Sequence, residues 1–223
     1  ITAMAKAAAE VATVPVALNL DHGTSFEQVV RCIRHGFSAV MIDGSHYPFE
    51  ENVAITKRVV EVAHPVGVSV EGELGRIGGT EDDIHVDEKD ALLADPDEVV
   101  SFVEQTQVDC LAVAIGTAHG VYRGTPKLDF ERLSKINSLI DLPLVLHGAS
   151  GVSDEDIQKA IARGICKINI DTELRQAFSE AVRKKLAEDP EEIDPRKILG
   201  PARDAMQEVV VRKMRLFGSS QKA

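Results

Sequence analysis

Short apolar runs alternate with helix-like segments along the whole chain, and this alternation constrains the fold more than any other feature. The runs are nearly continuous in Val, Ile, Leu and Ala, which is typical of parallel strands buried on both faces of a sheet. They predict strands at 15–20, 38–42, 67–73, 110–116, 143–147 and 166–170. Repeated units of strand and helix indicate an α/β fold.

The segments between and after these runs have helical periodicity and recognisable ends. Ser153 with Asp156 resembles a capping box, and Pro96 stands where a first helical residue is expected. We therefore predict helices at 25–35, 50–64, 96–106, 128–139, 153–163, 173–188 and 201–216. Residues 191–201 are predicted to be a loop, and the aperiodic segment 75–95 is predicted to be a mobile lid.

Polar residues cluster at the carboxyl ends of the predicted strands, where the active sites of TIM barrels are built. They are Asp21, Asp43, Glu73, His119, His147 and Asn169. No GxGxxG or Walker loop follows a predicted strand, which disfavours a nucleotide-binding open sheet. We expect a TIM (β/α)8 barrel, organised as one catalytic domain over residues 1–223 with C-terminal helices at 173–216. Six strands are predicted where a barrel needs eight, so we expect the first two βα units to be missing and the chain to be a fragment.

Three of the apolar runs end in His-Gly, at His22, His119 and His147. Histidines at the ends of neighbouring parallel strands can meet at one rim of a barrel. Three protein nitrogens and one open position form the ligand set of a catalytic zinc ion. The other histidines, at 35, 46, 64 and 85, lie in predicted helices or loops and are expected to have no such role.

Composition excludes several kinds of partner. The net charge of −11 argues against non-specific binding to nucleic acid or to membranes, although a locally positive pocket could still bind a small anion. No apolar stretch approaches the roughly 20 residues of a membrane span, and no signal peptide is visible. Three scattered cysteines, Cys32, Cys110 and Cys166, are typical of a reduced protein, so we expect a cytoplasmic location.

Six motifs in register make the chain similar to the class II, zinc-dependent fructose-bisphosphate aldolases, a group that includes the tagatose-bisphosphate aldolases. The motifs are DHGTSFEQVVRCI, MIDGSHYPFEENV, VEGELGRIGGTEDD, AIGTAHGVYRGTP, LVLHGASGV and KINIDTELR. The resemblance runs from about residue 11 to KMRLFGSS near the C-terminus. It implies reversible cleavage of a ketose bisphosphate into dihydroxyacetone phosphate and glyceraldehyde 3-phosphate.

The resemblance also implies roles for individual residues. It makes His22, His119 and His147 the zinc ligands, with Glu73 and Asp43 near the metal and able to bind it in an alternative position. Asp21 would move the proton of the C4 hydroxyl. Glu81 would exchange the C3 proton of dihydroxyacetone phosphate, although sequence chemistry alone does not separate it from Asp82 and Asp83. Asp21 and His22 are adjacent, so both can face the site only if the strand ends or bends, which Gly23 permits.

Two phosphate groups need binding sites, and the turn at 148–151 before a predicted helix offers backbone N–H groups for one of them. The turn makes Gly148 and Ser150 candidates for binding substrate, and Arg175 is a weaker candidate. The resemblance implies that the substrate is also lined by Gly120, Asn169, Asp171 and Thr172. The resemblance further implies a monovalent cation (Na⁺ or K⁺) near Gly120, and a homodimer or homotetramer.

Alternatives stay open at this point. NIDTEL favours a fructose over a tagatose substrate, whereas IGTAHG and GRIGG fit both branches. A class I aldolase would need a Schiff-base lysine, and the only strand lysine, Lys167, starts its predicted strand at the end remote from the site. A zinc hydrolase on the same fold, or an inactive truncated chain, are the other two alternatives.

Overall fold

The structure, a computed structural model, describes residues 1–81, 84–87, 91–122 and 124–222, except for the side chains of Glu81, Ile84 and His85. Strands and helices alternate along the described chain. The strands are β1 (Asn19–Gly23), β2 (Ala39–Ile42), β3 (Ser69–Leu74), β4 (Gly78–Glu81), β5 (Ile84–Val86), β6 (Cys110–Val113), β7 (Ala118–His119), β8 (Leu144–Leu146) and β9 (Ile165–Ile168). The helices are α1 (Thr2–Val11), α2 (Phe26–His35), α3 (Phe49–Ala63), α4 (Pro96–Thr106), α5 (Phe130–Leu139), α6 (Asp154–Ile161), α7 (Thr172–Glu188) and α8 (Pro195–Leu216).

The main sheet contains six parallel strands in the order β1-β2-β3-β6-β8-β9. Each of the six predicted strands overlaps one of these, so the predicted α/β fold with a parallel sheet is confirmed. A small second sheet has the order β5-β4-β7, in which β4 pairs antiparallel with β5 and parallel with β7. It covers the carboxyl end of the main sheet, because β4 follows β3 and β7 follows β6.

The two faces of the main sheet differ in chemistry. Side chains alternate between the faces of a strand, and on β3 Val70 and Leu74 pack into the hydrophobic core beneath the helices while Glu71 and Glu73 point the other way. The outer core joins strand residues to helix residues such as Phe102. The inner face is therefore buried but partly charged, which differs from the uniformly apolar strands that the sequence predicts.

Two predicted loops contain regular structure. The described part of 75–95 contains β4, β5 and a bridge between Arg76 and Leu92, so it is not an irregular loop throughout, and its role as a mobile lid stays a prediction. Its pairing partner β7 lies far away in the chain, and distant pairing leaves no local periodicity. Residues 191–201 are also not a loop throughout, since α8 begins at Pro195 after Asp194, whose carboxylate caps the Arg196 N–H.

The C-terminal helices α7 and α8 pack mainly against each other. Among the described residues, no helix is both long enough and apolar enough to cross a membrane.

Candidate metal centre and active site

Three histidines meet at the carboxyl end of the main sheet. His22 is on β1, His119 is on β7 and His147 directly follows β8. Ring centroids are 4.9 Å apart for His22 and His119, 4.6 Å for His22 and His147, and 6.0 Å for His119 and His147. One ring nitrogen from each lies within 4.8 Å of the others. The convergence expected from the three His-Gly motifs is thus present in the structure.

The backbone of β1 bends where Asp21 and His22 meet. His22 has a positive φ of 44°, and the pairing of β1 with β2 is irregular between Leu20 and Gly23. A positive φ is uncommon for a residue with a side chain and marks local strain. The predicted bend is present, but His22 itself adopts the unusual conformation. Gly23 is required for another reason, because a Cβ there would lie 2.4 Å from the carbonyl oxygen of Met41.

Two buried carboxylates lie beside His22. Asp43 Oδ2 is 3.1 Å from His22 Nδ1, and His22, Asp43 and Glu73 form a second group of atoms close enough to share an ion. Glu73 Oε2 is buried and has no hydrogen-bond partner among the described residues. Burial, and then the negative charge of Asp43, raise the pKa of Glu73 well above its usual range. Such an atom needs a proton or a cation.

The hydrogen bonds define which ring nitrogens carry lone pairs. Ionised carboxylates only accept hydrogen bonds, so His22 Nδ1 donates to Asp43 and His147 Nε2 donates to Glu71 Oε1, which is 2.7 Å away. The remaining nitrogens, His22 Nε2 and His147 Nδ1, face each other at 2.7 Å. Two lone pairs at this distance repel unless a proton or a metal ion is shared between them. A carboxylate behind each histidine is the usual support of a metal-binding imidazole.

The pKa values reflect the same arrangement. Burial opposes a charge on His22, but the hydrogen bond that His22 donates to Asp43, together with the neighbouring carboxyl groups, outweighs it and raises the His22 pKa to about 9. Burial, and then the electrostatic influence of the two neighbouring histidines, lower the pKa of His119 to about 3. One ring therefore attracts a proton while its neighbour stays neutral at pH 7. This set of donors fits a divalent cation well, since the cation would take the place of that proton.

The sequence analysis missed Glu71, which supports His147 and is almost completely buried. Burial opposes its charge, yet the hydrogen bond with His147 and the charge of Lys167 lower the Glu71 pKa to about 2. Lys167 Nζ lies 2.9 Å from Glu71 Oε2. The alternation in VEGEL contains a usable signal, because Glu71 and Glu73 must share one face of the strand.

Asp21 lies on the solvent side of the histidines and is held by Asn169. The Nδ2 atom of Asn169 is 2.9 Å from each carboxylate oxygen of Asp21. Two residues that were expected from their motifs to serve the same site are thus in direct contact, although they are far apart in the chain.

The turn at 148–151 is shaped by close backbone approaches. Gly148 has a φ of 62°, and a Cβ there would lie 2.6 Å from the carbonyl oxygen of Ala118. Tyr122 Oη donates to the Gly148 carbonyl at 2.8 Å and accepts from the Ala118 N–H at 2.7 Å. This turn is therefore tied to the segment that carries His119.

Glu173, from elsewhere in the chain, already forms hydrogen bonds with the same turn. The Gly151 N–H donates to Glu173 Oε1 at 3.0 Å, and the Glu173 N–H donates to Ser150 Oγ at 3.3 Å. Lys213, buried on α8, lies 2.6 Å from Glu173 Oε1. Glu173 and Lys213 were not singled out in the sequence, because nothing local links them to the turn.

The other predicted residues lie around this centre. Gly120 has a φ of 86° and lies next to Thr80 on β4. Asp171 and Thr172 begin α7, where Arg175 Nε donates to Asp171 Oδ1 at 2.9 Å. The backbone of Glu81 ends β4, but its side chain lies outside the described part, as do Asp82 and Asp83.

An α/β sheet that gathers three imidazoles and several buried carboxylates at the carboxyl ends of its strands defines a candidate metal-dependent enzyme. A family model described as class-II fructose-bisphosphate aldolase matches residues 1–222. The chain belongs to this family, and the resemblance seen in its motifs is confirmed.

Individual relatives agree with the family match. The fructose-bisphosphate aldolase of Thermus caldophilus is 53% identical over 242 residues, covering 98% of this chain and 79% of that protein. The fructose-bisphosphate aldolase of Geobacillus stearothermophilus is 56% identical over 211 residues, covering 95% and 73%. The crystal structure of the YdjI aldolase from Escherichia coli K12 has a TM-score of 0.86 at 40% identity, covering 100% of this chain and 76% of that one.

Proposed function

We propose that this protein catalyses the reversible aldol cleavage of fructose 1,6-bisphosphate to dihydroxyacetone phosphate and glyceraldehyde 3-phosphate. Membership of the family supports the reaction, and the names of the relatives favour fructose over tagatose bisphosphate as substrate. The observation that carries the proposal is the convergence of three imidazoles, with ligand atoms within 4.8 Å, at the same rim as Asp21.

His22, His119 and His147 would hold a zinc ion, and Asp43 with Glu73 would offer it an alternative position. Bound there, zinc would supply Lewis-acid chemistry that polarises the substrate carbonyl. Two observations support a cation in this place: the facing nitrogens of His22 and His147, and the Glu73 oxygen that has no hydrogen-bond partner in the described part of the chain.

Protein groups would handle the protons. Asp21 would accept the proton of the C4 hydroxyl, and its contact with Asn169 would keep the carboxylate oriented. Glu81 would exchange the C3 proton from a lid formed around β4 and β5, which would exclude water when it closes.

Backbone and hydroxyl groups would bind the phosphates. Ser150 and the turn that begins at Gly148 precede α6, and an N–H-rich turn before a helix suits an anion. In all, the proposed substrate-binding residues are Gly120, Gly148, Ser150, Asn169, Asp171 and Thr172. A monovalent cation, Na⁺ or K⁺, near Gly120 is part of the same proposal.

The proposal extends to the architecture. The six-stranded sheet would be part of a TIM barrel in one catalytic domain, with the remaining strands pairing with β1 and β9, the two end strands. A cytoplasmic homodimer or homotetramer would use α7 and α8, where Leu199, Val210 and Met214 are exposed.

One alternative mechanism loses support. The expectation that Lys167 lies remote from the site is wrong, because its Nζ is 2.7 Å from Asn169 Oδ1. A Schiff base, however, requires an accessible, uncharged lysine amine, whereas Lys167 Nζ is paired with the buried Glu71 carboxylate. An inactive chain that still binds metal is the alternative that an experiment must separate.

The test is to measure zinc content and the cleavage of fructose and tagatose 1,6-bisphosphates by the purified protein. We expect one zinc per chain and faster cleavage of the fructose substrate, with activity lost to a chelator and restored by zinc. Asp21→Ala should keep its zinc but lose on the order of 10² to 10⁴-fold in kcat. Asp204→Ala, on the exposed side of α8, is the matched control and should behave like the wild type. Bound zinc without cleavage by the wild type would refute the proposed function, and normal cleavage by Asp21→Ala would refute the role of that carboxylate.

A further inference from the structure

We propose that Lys167 is a positioning residue for the aldol reaction, acting through the amide of Asn169 on the carboxylate of Asp21. This inference rests on the proposed function. It is based on a series of polar contacts on the inner face of the sheet, which link β3 to β9 and β9 to β1. The family resemblance implies no role for Lys167.

Lys167 lies on β9 with an ammonium group that touches two oxygen acceptors. Nζ is 2.7 Å from Asn169 Oδ1 and 2.9 Å from Glu71 Oε2. Glu71 is 3% exposed, so its carboxylate holds the ammonium from the buried side of the sheet. The lysine side chain is 35% exposed, but its charged end is fixed at both contacts.

This contact decides which way the Asn169 amide faces. An ammonium only donates hydrogen bonds, and an ionised carboxylate only accepts them. With Oδ1 on Lys167, the Nδ2 group must face Asp21, where it lies 2.9 Å from both oxygens. The flipped amide would place donor against donor at Lys167 and acceptor against acceptor at Asp21. The lysine and the aspartate therefore select the same orientation from opposite ends.

Asn169 Nδ2 also lies 3.3 Å from His147 Nε2. That nitrogen directs its hydrogen at Glu71, so this contact adds no orienting hydrogen bond.

The orientation of the Asn169 amide affects Asp21, the proposed base. Asp21 is on an end strand of the sheet beside the irregular backbone of His22, and Asn169 is the side chain that ties it to the opposite end strand. Loss of the Lys167 charge would free the amide to rotate and would remove the oriented N–H groups from Asp21. A displacement of about 1 Å of a reacting group can cost on the order of 100-fold in rate.

Lys167 could instead act through Glu71 and His147 on the metal. The two routes predict different results. The route through Asn169 changes kcat and leaves zinc affinity unchanged, whereas the route through His147 weakens zinc binding.

The experiment compares Lys167→Met with Lys135→Met, a control on the exposed face of α5. Methionine keeps most of the length of the lysine side chain and removes its charge. Zinc affinity is measured by competition with a chelator, and kcat and KM are measured on the zinc-loaded proteins with fructose 1,6-bisphosphate. For Lys167→Met we expect a 10 to 100-fold fall in kcat, with KM and zinc affinity changed by less than about threefold. Lys135→Met should match the wild type.

A double mutant tests the route directly. If Lys167 acts through Asn169, Lys167→Met should slow Asn169→Ala by less than about twofold. The charge-balanced pair Glu71→Gln with Lys167→Met guards against a folding defect caused by a lone buried carboxylate. Because Glu71 also supports His147, this protein is assayed with excess zinc, where it should also be slow.

Additive losses in the double mutant, reduced zinc affinity of Lys167→Met, or a normal kcat in either protein that lacks Lys167 would overturn the inference. Failure of the proposed function is seen separately, as absence of cleavage by the zinc-loaded wild type, and the inference would then fall with it.

Discussion

Two histidine–carboxylate pairs at opposite ends of the main sheet have nearly the same geometry and very different surroundings. At the carboxyl end, His147 Nε2 lies 2.7 Å from Glu71 Oε1, and the two side chains are 0% and 3% exposed. At the amino end, His64 Nε2 lies 2.9 Å from Asp109 Oδ2, and the side chains are 39% and 43% exposed. The distances alone would not tell the pairs apart.

Burial, more than contact distance, therefore sets how much such a pair contributes to stability. Water screens the His64–Asp109 pair and can replace either partner, so the pair contributes little to stability. The His147–Glu71 pair has no water to replace a lost partner. The buried pair is also linked to Lys167 and to His22, whereas the Asp109 carboxylate also accepts a hydrogen bond from the Val70 N–H.

The largest expected effect is that of His147→Ala compared with His64→Ala. In chelator-treated protein, His147→Ala should lower the free energy of unfolding by about 3 to 5 kcal/mol, because it leaves the Glu71 carboxylate without its histidine in a buried cavity. It should also abolish zinc binding and cleavage. His64→Ala should cost less than about 1 kcal/mol and retain both. Urea unfolding and zinc content check this comparison, and equal losses of stability in the two variants would contradict it.

The Glu173–Lys213 pair is intermediate in burial between the two histidine–carboxylate pairs. Glu173 is held by Lys213, by Arg212 and by the Gly151 N–H. Burial opposes its charge, but these partners lower the pKa of Glu173 below the ordinary 4.5. Glu173→Gln removes the charge and should lower the free energy of unfolding at pH 7 by about 2 kcal/mol.

The pH dependence of this effect follows from the direction of the shift. A lowered pKa in the folded state means that the charge stabilises the fold fully above the ordinary pKa, and that this contribution is lost as the pH falls through the lowered value. The difference between wild type and Glu173→Gln should therefore be constant from pH 6 to 7 and shrink below about 4.5. Urea unfolding at a series of pH values measures it, and a difference that grows in acid would show that the sign is wrong.

The smallest expected effect is that of Asp109→Asn. The asparagine keeps an oxygen acceptor for the Val70 N–H and loses only the charge that faces His64. We expect a loss of about 0.5 kcal/mol at low salt that becomes undetectable in 1 M salt, where exposed charges are screened. A loss above about 2 kcal/mol that persists in 1 M salt would mean that the two ends of the sheet do not differ as argued.

The sequence predicted the strands, the helices and the meeting of three histidines better than it predicted the other contacts around them. Six strands, the meeting of His22, His119 and His147, and the bend at Asp21 and His22 all follow from local patterns, and all are present. The missed features have no local signal. β4 pairs with a two-residue strand about 40 positions away, and Glu173 meets Lys213 from the far end of α8.

Local patterns in the sequence set where strands and helices alternate and which side chains stand at the strand ends, since periodicity and turn chemistry act over a few residues. The packing of distant segments sets which nitrogen of each histidine faces inward, which carboxylate stays ionised, and which one has no hydrogen-bond partner among the described residues. Those properties depend on burial and on neighbours as distant as His22 and His147, which are 125 residues apart in the chain. No local pattern can encode them, because charge and hydrogen-bond energies depend on distance in space and on the exclusion of water.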